Sequence, residues 1–178
     1  MSPAGPLEPA VLATITAAVE RIIPSDDGLP GAREARTIDF VVGELDGAPA
    51  RVAALVELAL ALEEAAEAGD APAPAAAGSG RPGGFAGLTG EQQDAILLAV
   101  EADGSPALAW LVETTMEGFY GDPRHGGNVG GVSWEALGFP GPTGGSGYEP
   151  PFGWYDANEP NLPGLGPDGS TAPTRPAR

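Results

Sequence analysis

Apolar residues recur along the first two thirds of the chain at spacings of three and four, the stripe of a helix with about 3.6 residues per turn. Between Pro9 and Ile23 the stripe is Val11, Leu12, Ile15, Val19, Ile22 and Ile23, with Pro9 suited to a first turn and Pro24 ending the run. Pro30-Gly31-Ala32 opens a second helix, whose inward face is Ala35, Ile38, Val41, Val42 and Leu45 and whose close is Gly47 to Pro49. A third, from about Ala50 to Ala68, turns Val52, Leu55, Val56, Ala59 and Leu62 inward and leaves Glu57, Glu63, Glu64 and Glu67 largely outside that face. Thr89 and Gln92 make a capping-box pattern for a fourth helix to about Ala102, with Ile96, Leu97 and Val100 at core positions. Ser105-Pro106 supplies a cap and a first-turn proline for a fifth, on which Leu108, Leu111, Val112, Thr115, Met116 and Phe119 align. The expected fold is mainly α, about five amphipathic helices in a compact bundle followed by a Gly/Pro-rich irregular C-terminal region.

The interruptions are as informative as the stripes. Ser25-Asp-Asp-Gly28 reads as a turn; Asp26 and Asp27 lack the alternating oxygen ligands of a calcium loop. Residues 69–84 have no apolar periodicity and are expected to be a mobile connection within one domain spanning residues 1–160. Beyond Gly118, glycine and proline crowd out long regular elements, except that Ser133 can cap a turn of helix running to Leu137 and stopped by Gly138. Tyr148, Phe152, Trp154 and Tyr155 follow without periodicity, and either tuck into the core or anchor a partner. Residues 161–178 are expected to be disordered.

Composition narrows the function. A chain of 178 residues suits one domain and can bury roughly 70% of its unfolded surface. Eight arginines and no lysine stand against 25 acidic residues, a net charge of −17. Phosphate backbones and anionic membrane surfaces are repelled, so neither nucleic-acid binding nor membrane insertion is expected, and no apolar run reaches the roughly 18 residues of a spanning helix. The acidity serves solubility or complements a basic partner. There is no cysteine, which removes disulfides, thiolate metal sites and cysteine nucleophiles. The start, Met-Ser-Pro-Ala-Gly-Pro, has no basic n-region and no twin arginine, and points to a cytoplasmic protein.

The chemistry changes abruptly between Met116 and Gly141. Gly121, Gly126, Gly127, Gly130 and Gly131 allow backbone angles and approaches that a Cβ forbids, and Tyr120, Asp122, His125, Asn128, Trp134 and Phe139 stand among them. The fifth helix delivers this loop. With a single His, a serine triad would have to use His125, and no Gly-x-Ser-x-Gly elbow precedes a helix. Asp122 with His125 offers two metal ligands at most, and the glycine pairs lack the strand, helix and Lys of a phosphate-binding loop. Three readings remain: a loop that organises the fold or grips a partner, an Asp122/His125 acid–base pair in a stand-alone enzyme, and a sugar-binding module using Trp134 and Trp154.

Ile22-Ile-Pro-Ser-Asp-Asp-Gly-Leu-Pro-Gly-Ala32, Leu88-Thr89, Glu117-Gly-Phe-Tyr-Gly-Asp-Pro-Arg-His-Gly-Gly-Asn128, Trp134 and Gly138-Phe-Pro-Gly141 together resemble the gluconate 2-dehydrogenase subunit 3 family over roughly residues 10 to 150. The resemblance implies a small non-catalytic subunit that holds no cofactor or metal itself. Its expected partner is a FAD-dependent GMC-type oxidoreductase acting on sugars, polyols or sugar acids, often alongside a cytochrome c subunit. The implied role is in that partner's folding, stability or export, and export with the partner would move the chain out of the cytoplasm. Tyr120, Asp122, His125, Gly126, Gly127, Asn128, Trp134 and Phe139 are then the partner-binding or loop-organising residues, with none catalytic.

Overall fold

The computed structural model describes residues 6–69 and 83–139. Most of the connection expected at 69–84, the aromatic segment around Trp154 and the tail from 161 lie outside the described residues. Six α-helices follow one another: α1 (Pro9–Ile22), α2 (Thr37–Gly43), α3 (Pro49–Ala68), α4 (Gly90–Ala102), α5 (Pro106–Tyr120) and the short α6 (Val132–Ala136). Single 3-10 turns stand at Phe85–Gly87, Pro123–His125 and Val129–Gly131, and no strand forms among the described residues. The mainly helical expectation is met.

Helix starts follow the local chemistry. Prolines occupy the first turns of α1, α3 and α5, where their missing N–H is not needed. Thr89 accepts the Gln92 N–H while the Gln92 side chain accepts the Thr89 N–H, completing the capping box of α4. Asp27 and Gly28 take left-handed angles between paired Asp26 and Leu29, so the two aspartates shape a hairpin turn.

α1 lies at the centre, packed on α3, α4 and α5, while α2 packs chiefly on α5. Ile15, Val19, Leu55, Leu62, Phe85 and Leu111 are almost wholly buried in this core, each stabilising the fold by about 1.5–3 kcal/mol relative to exposure. Arg21 on α1 grips Asp94 on α4 with two hydrogen bonds of 2.8 and 2.6 Å.

Three expectations are corrected. The second helix does not open at Pro30: residues 32–36 form turns, Arg36 takes a left-handed conformation, and α2 begins at Thr37. Gly31 packs so closely on Ser25 and Ile23 that its backbone serves the turn rather than a helix. Glu63 is not a solvated face residue. Its carboxylate accepts the Thr14 hydroxyl of α1 and the Phe85 backbone N–H, at 2.9 Å for the latter, and so fastens α1, α3 and the Phe85 turn together. Finally, Val112 and Met116 do not join the inward face of α5, which consists of Leu108, Leu111, Thr114, Thr115, Gly118 and Phe119. At 38% and 44% exposure they face solvent, one side round from the face that packs on α2 and α3.

Candidate functional site

The loop after α5 is built on close backbone approach. Gly118 lies in the last turns of α5, where an added Cβ would come within 2.8 Å of the Phe40 ring on α2. Gly127 rests on the Gly118 carbonyl, and a Cβ there would overlap it. The two glycines thus let the loop settle over the α2–α5 seam, and the Val129 N–H ties it down by donating to the Ala35 carbonyl at 3.0 Å.

Asn128 is the centre of the loop. It is fully buried and left-handed, with φ 47°. Its Nδ2 donates to the Gly121 carbonyl at 2.9 Å and its Oδ1 accepts the Ser133 N–H at 3.0 Å, so one amide closes both ends of the loop. Asn suits both demands, because its short polar side chain tolerates left-handed angles and carries a donor and an acceptor. Ser133 was expected to cap the short helix; instead it sits inside α6, and its hydroxyl donates to the Phe119 carbonyl at 2.6 Å. Gly131, itself left-handed, occupies the cap position, and the buried Asn128 supplies the acceptor that a capping side chain would offer.

The remaining side chains face outward. Trp134 is half-buried, donates Nε1–H to the Tyr120 carbonyl at 2.8 Å, and meets Phe139 edge to face with ring centroids 5.2 Å apart. Tyr120 stacks edge to face on buried Phe119 at 4.8 Å while remaining 44% exposed, and Phe139 is 49% exposed. Gly126, at φ 105°, ends the Pro123–His125 turn.

Asp122 is paired with Arg124 rather than with His125. The Asp122 carboxylate accepts the Arg124 backbone N–H at 2.9 Å and is gripped by its guanidinium at 2.7 to 3.0 Å, which holds the acid down to about 2. A carboxylate so stabilised in its charged form is a poor base. His125 is exposed, and no hydrogen bond or ion pair joins its ring to Asp122. Among the described residues no group of three or more His, Asp or Glu could hold a metal ion. Elsewhere, a cleft of about 250 Å³ beside the end of α1 is lined by Arg21 and Arg33, but each is already bound to a carboxylate, Asp94 and Glu20.

The glycine-rich loop, its aromatic flank and the turn after α1 fall within one family pattern. The family model described as gluconate 2-dehydrogenase subunit 3 matches residues 9–141. The chain belongs to the gluconate 2-dehydrogenase subunit 3 family. No curated protein and no solved structure matches it. In this subunit 3 chain the match runs from the first residue of α1 to just past Phe139, so it takes in the helices and the loop together.

Sequence reasoning missed Phe40, Gly118, Ser133 as an anchor, and Glu63. A glycine in the middle of an apolar helix was the available signal for the first two, since it marks close approach of another element. Glu63 lies four residues after Ala59 and seven after Val56, within the apolar stripe of α3, and that spacing was the signal separating it from Glu57 and Glu64.

Proposed function

We propose that this chain is a non-catalytic accessory subunit that binds and stabilises a FAD-dependent GMC-type dehydrogenase of sugars, polyols or sugar acids. Membership of the subunit 3 family supports a place in a dehydrogenase complex. The observation that carries the accessory role is the division of labour in the loop. Asn128, Ser133, Asp122 and Arg124 spend their polar groups on one another and on the loop backbone, while Tyr120, Trp134 and Phe139 present aromatic surface outward. That leaves one exposed imidazole, His125, with no metal-ligand cluster around it among the described residues, and aromatic area is what protein interfaces enrich. FAD and the reacting sugar belong to the partner, and a cytochrome c subunit completes the electron path where one is present.

The test is co-expression with the GMC-type flavoprotein that this reading expects to be encoded beside the chain. The two should copurify, and the flavoprotein expressed alone should be less soluble or poorer in FAD. A flavoprotein that is soluble, flavin-loaded and fully active alone, and that does not bind the chain, would refute the role.

A further inference from the structure

We infer that the docking face is the solvent side of α5 together with Trp134, Leu137 and Phe139, and that it receives an apolar groove bordered by arginine or lysine on the flavoprotein. The inference rests on the accessory-subunit reading for the identity of the partner, and on the surface itself for the location and chemistry.

Two rows run side by side along the outer face of α5. Val112, Met116 and Tyr120, four residues apart, are 38%, 44% and 44% exposed. One position further round, Glu113 and Glu117 form a parallel acidic row. At the end of the helix the Tyr120 carbonyl holds the Trp134 indole, and Trp134 in turn holds Phe139. The apolar row therefore continues through Trp134 to Phe139; Leu137, at the C-cap of α6, is 65% exposed, and Glu135 on α6 is exposed as well. The other exposed leucines outside this face, Leu29 in the turn after α1, Leu60 on α3 and Leu98 on α4, are not part of a row of exposed large apolar residues and are ordinary surface residues.

Charge sets what the occupant must complement. Among the described residues Arg21, Arg33, Arg36, Arg51 and Arg124 are each paired with a carboxylate, whereas Glu113, Glu117 and Glu135 pair with no cation. The face thus offers apolar area with an uncompensated acidic margin, which a basic-rimmed groove complements. A second copy would bring two chains of net charge −17 together, each with the same acidic margin. The hydrogen bonds through Asn128 and Ser133 fix Trp134 beforehand, which reduces the ordering cost of binding.

The experiment measures affinity between the purified chain and the co-expressed flavoprotein at several salt concentrations. Met116→Glu should weaken binding about tenfold or more. Leu98→Glu on α4, where the side chain is 63% exposed, should leave it within about twofold, and both variants should keep the wild-type melting temperature. Glu113→Lys with Glu117→Lys should weaken binding and flatten its salt dependence. If wild type binds and Met116→Glu binds equally well, the docking face is wrong while the accessory role stands. If wild type does not bind at all, the accessory role fails and the face falls with it. A chain that sediments as a dimer, and becomes a monomer on Met116→Glu, would assign the face to self-association and overturn the inference.

Discussion

The core around α1 and the loop after α5 are held by opposite means. Ile15, Leu55, Leu62, Phe85 and Leu111 are buried by apolar contact, which is non-directional and accepts many combinations of residues. The loop from Gly121 to Gly138 contributes to the buried set only Gly127, Asn128 and Ser133, and its shape comes from directed hydrogen bonds and from glycines without a Cβ. Apolar contact sets whether the chain folds. The hydrogen-bonded loop sets what it displays, because Trp134 is aimed by the Asn128–Ser133 connection. Damage should accordingly be global in the first region and local in the second.

The largest effect that tests this division is Leu111→Ala. Leu111 is fully buried, and the deletion should cost about 2–5 kcal/mol of unfolding free energy, seen as one cooperative shift in the denaturation midpoint. A loss confined to the loop amides, with the midpoint unmoved, would break the comparison.

Next comes Asn128→Ala, which strands the Gly121 carbonyl and the Ser133 N–H and should cost about 1–3 kcal/mol. The cost should appear mainly as faster hydrogen exchange at Val129 and Ser133, with Leu55 and Leu62 protected as in the wild type. Asn128→Gly separates the two contributions, since it accepts the left-handed backbone yet makes neither hydrogen bond. It should recover little of the lost protection if the hydrogen bonds dominate.

The same division explains what the sequence revealed. The 3.6-residue stripes, the prolines at helix starts and the Thr89–Gln92 box located α1, α3, α4 and α5 because these depend on local periodicity and capping. α2 was misplaced at its start because the left-handed turn at Arg36 carries no periodic signature. The loop was recognisable as shaped from its glycines, but its logic was not. The partners of Gly118, Gly127 and Asn128 are Phe40, the α5 backbone and the carbonyl of Gly121, and spacing alone says nothing of such contacts. The spacing of Glu63, four residues after Ala59, places it on the inward stripe of α3, but its partners Thr14 and Phe85 lie 49 and 22 residues away in sequence and have no local signature.

The smallest effect concerns the entrance to the loop, where Asp122 lies at the surface and a pH change should act on the turn alone. Arg124 lowers the Asp122 carboxyl from its usual 3.8 to about 2. A group whose folded value is depressed adds stability above its unfolded value and gives it up as the pH falls through the folded one, so the turn should hold from neutrality down to about pH 4 and lose this support between about 4 and 2. Carboxyl NMR of Asp122 should give a midpoint near 2, and Asp122→Asn should remove that step without altering core signals. A midpoint at the usual 3.8 would mean that the Asp122–Arg124 pair opens in solution. The Pro123–His125 turn would then rest on its backbone hydrogen bonds, His125 N–H to Asp122 carbonyl at 2.9 Å and Gly126 N–H to Pro123 carbonyl at 3.2 Å. Either result leaves Asn128 and Trp134 in place, since neither hydrogen-bonds to Asp122.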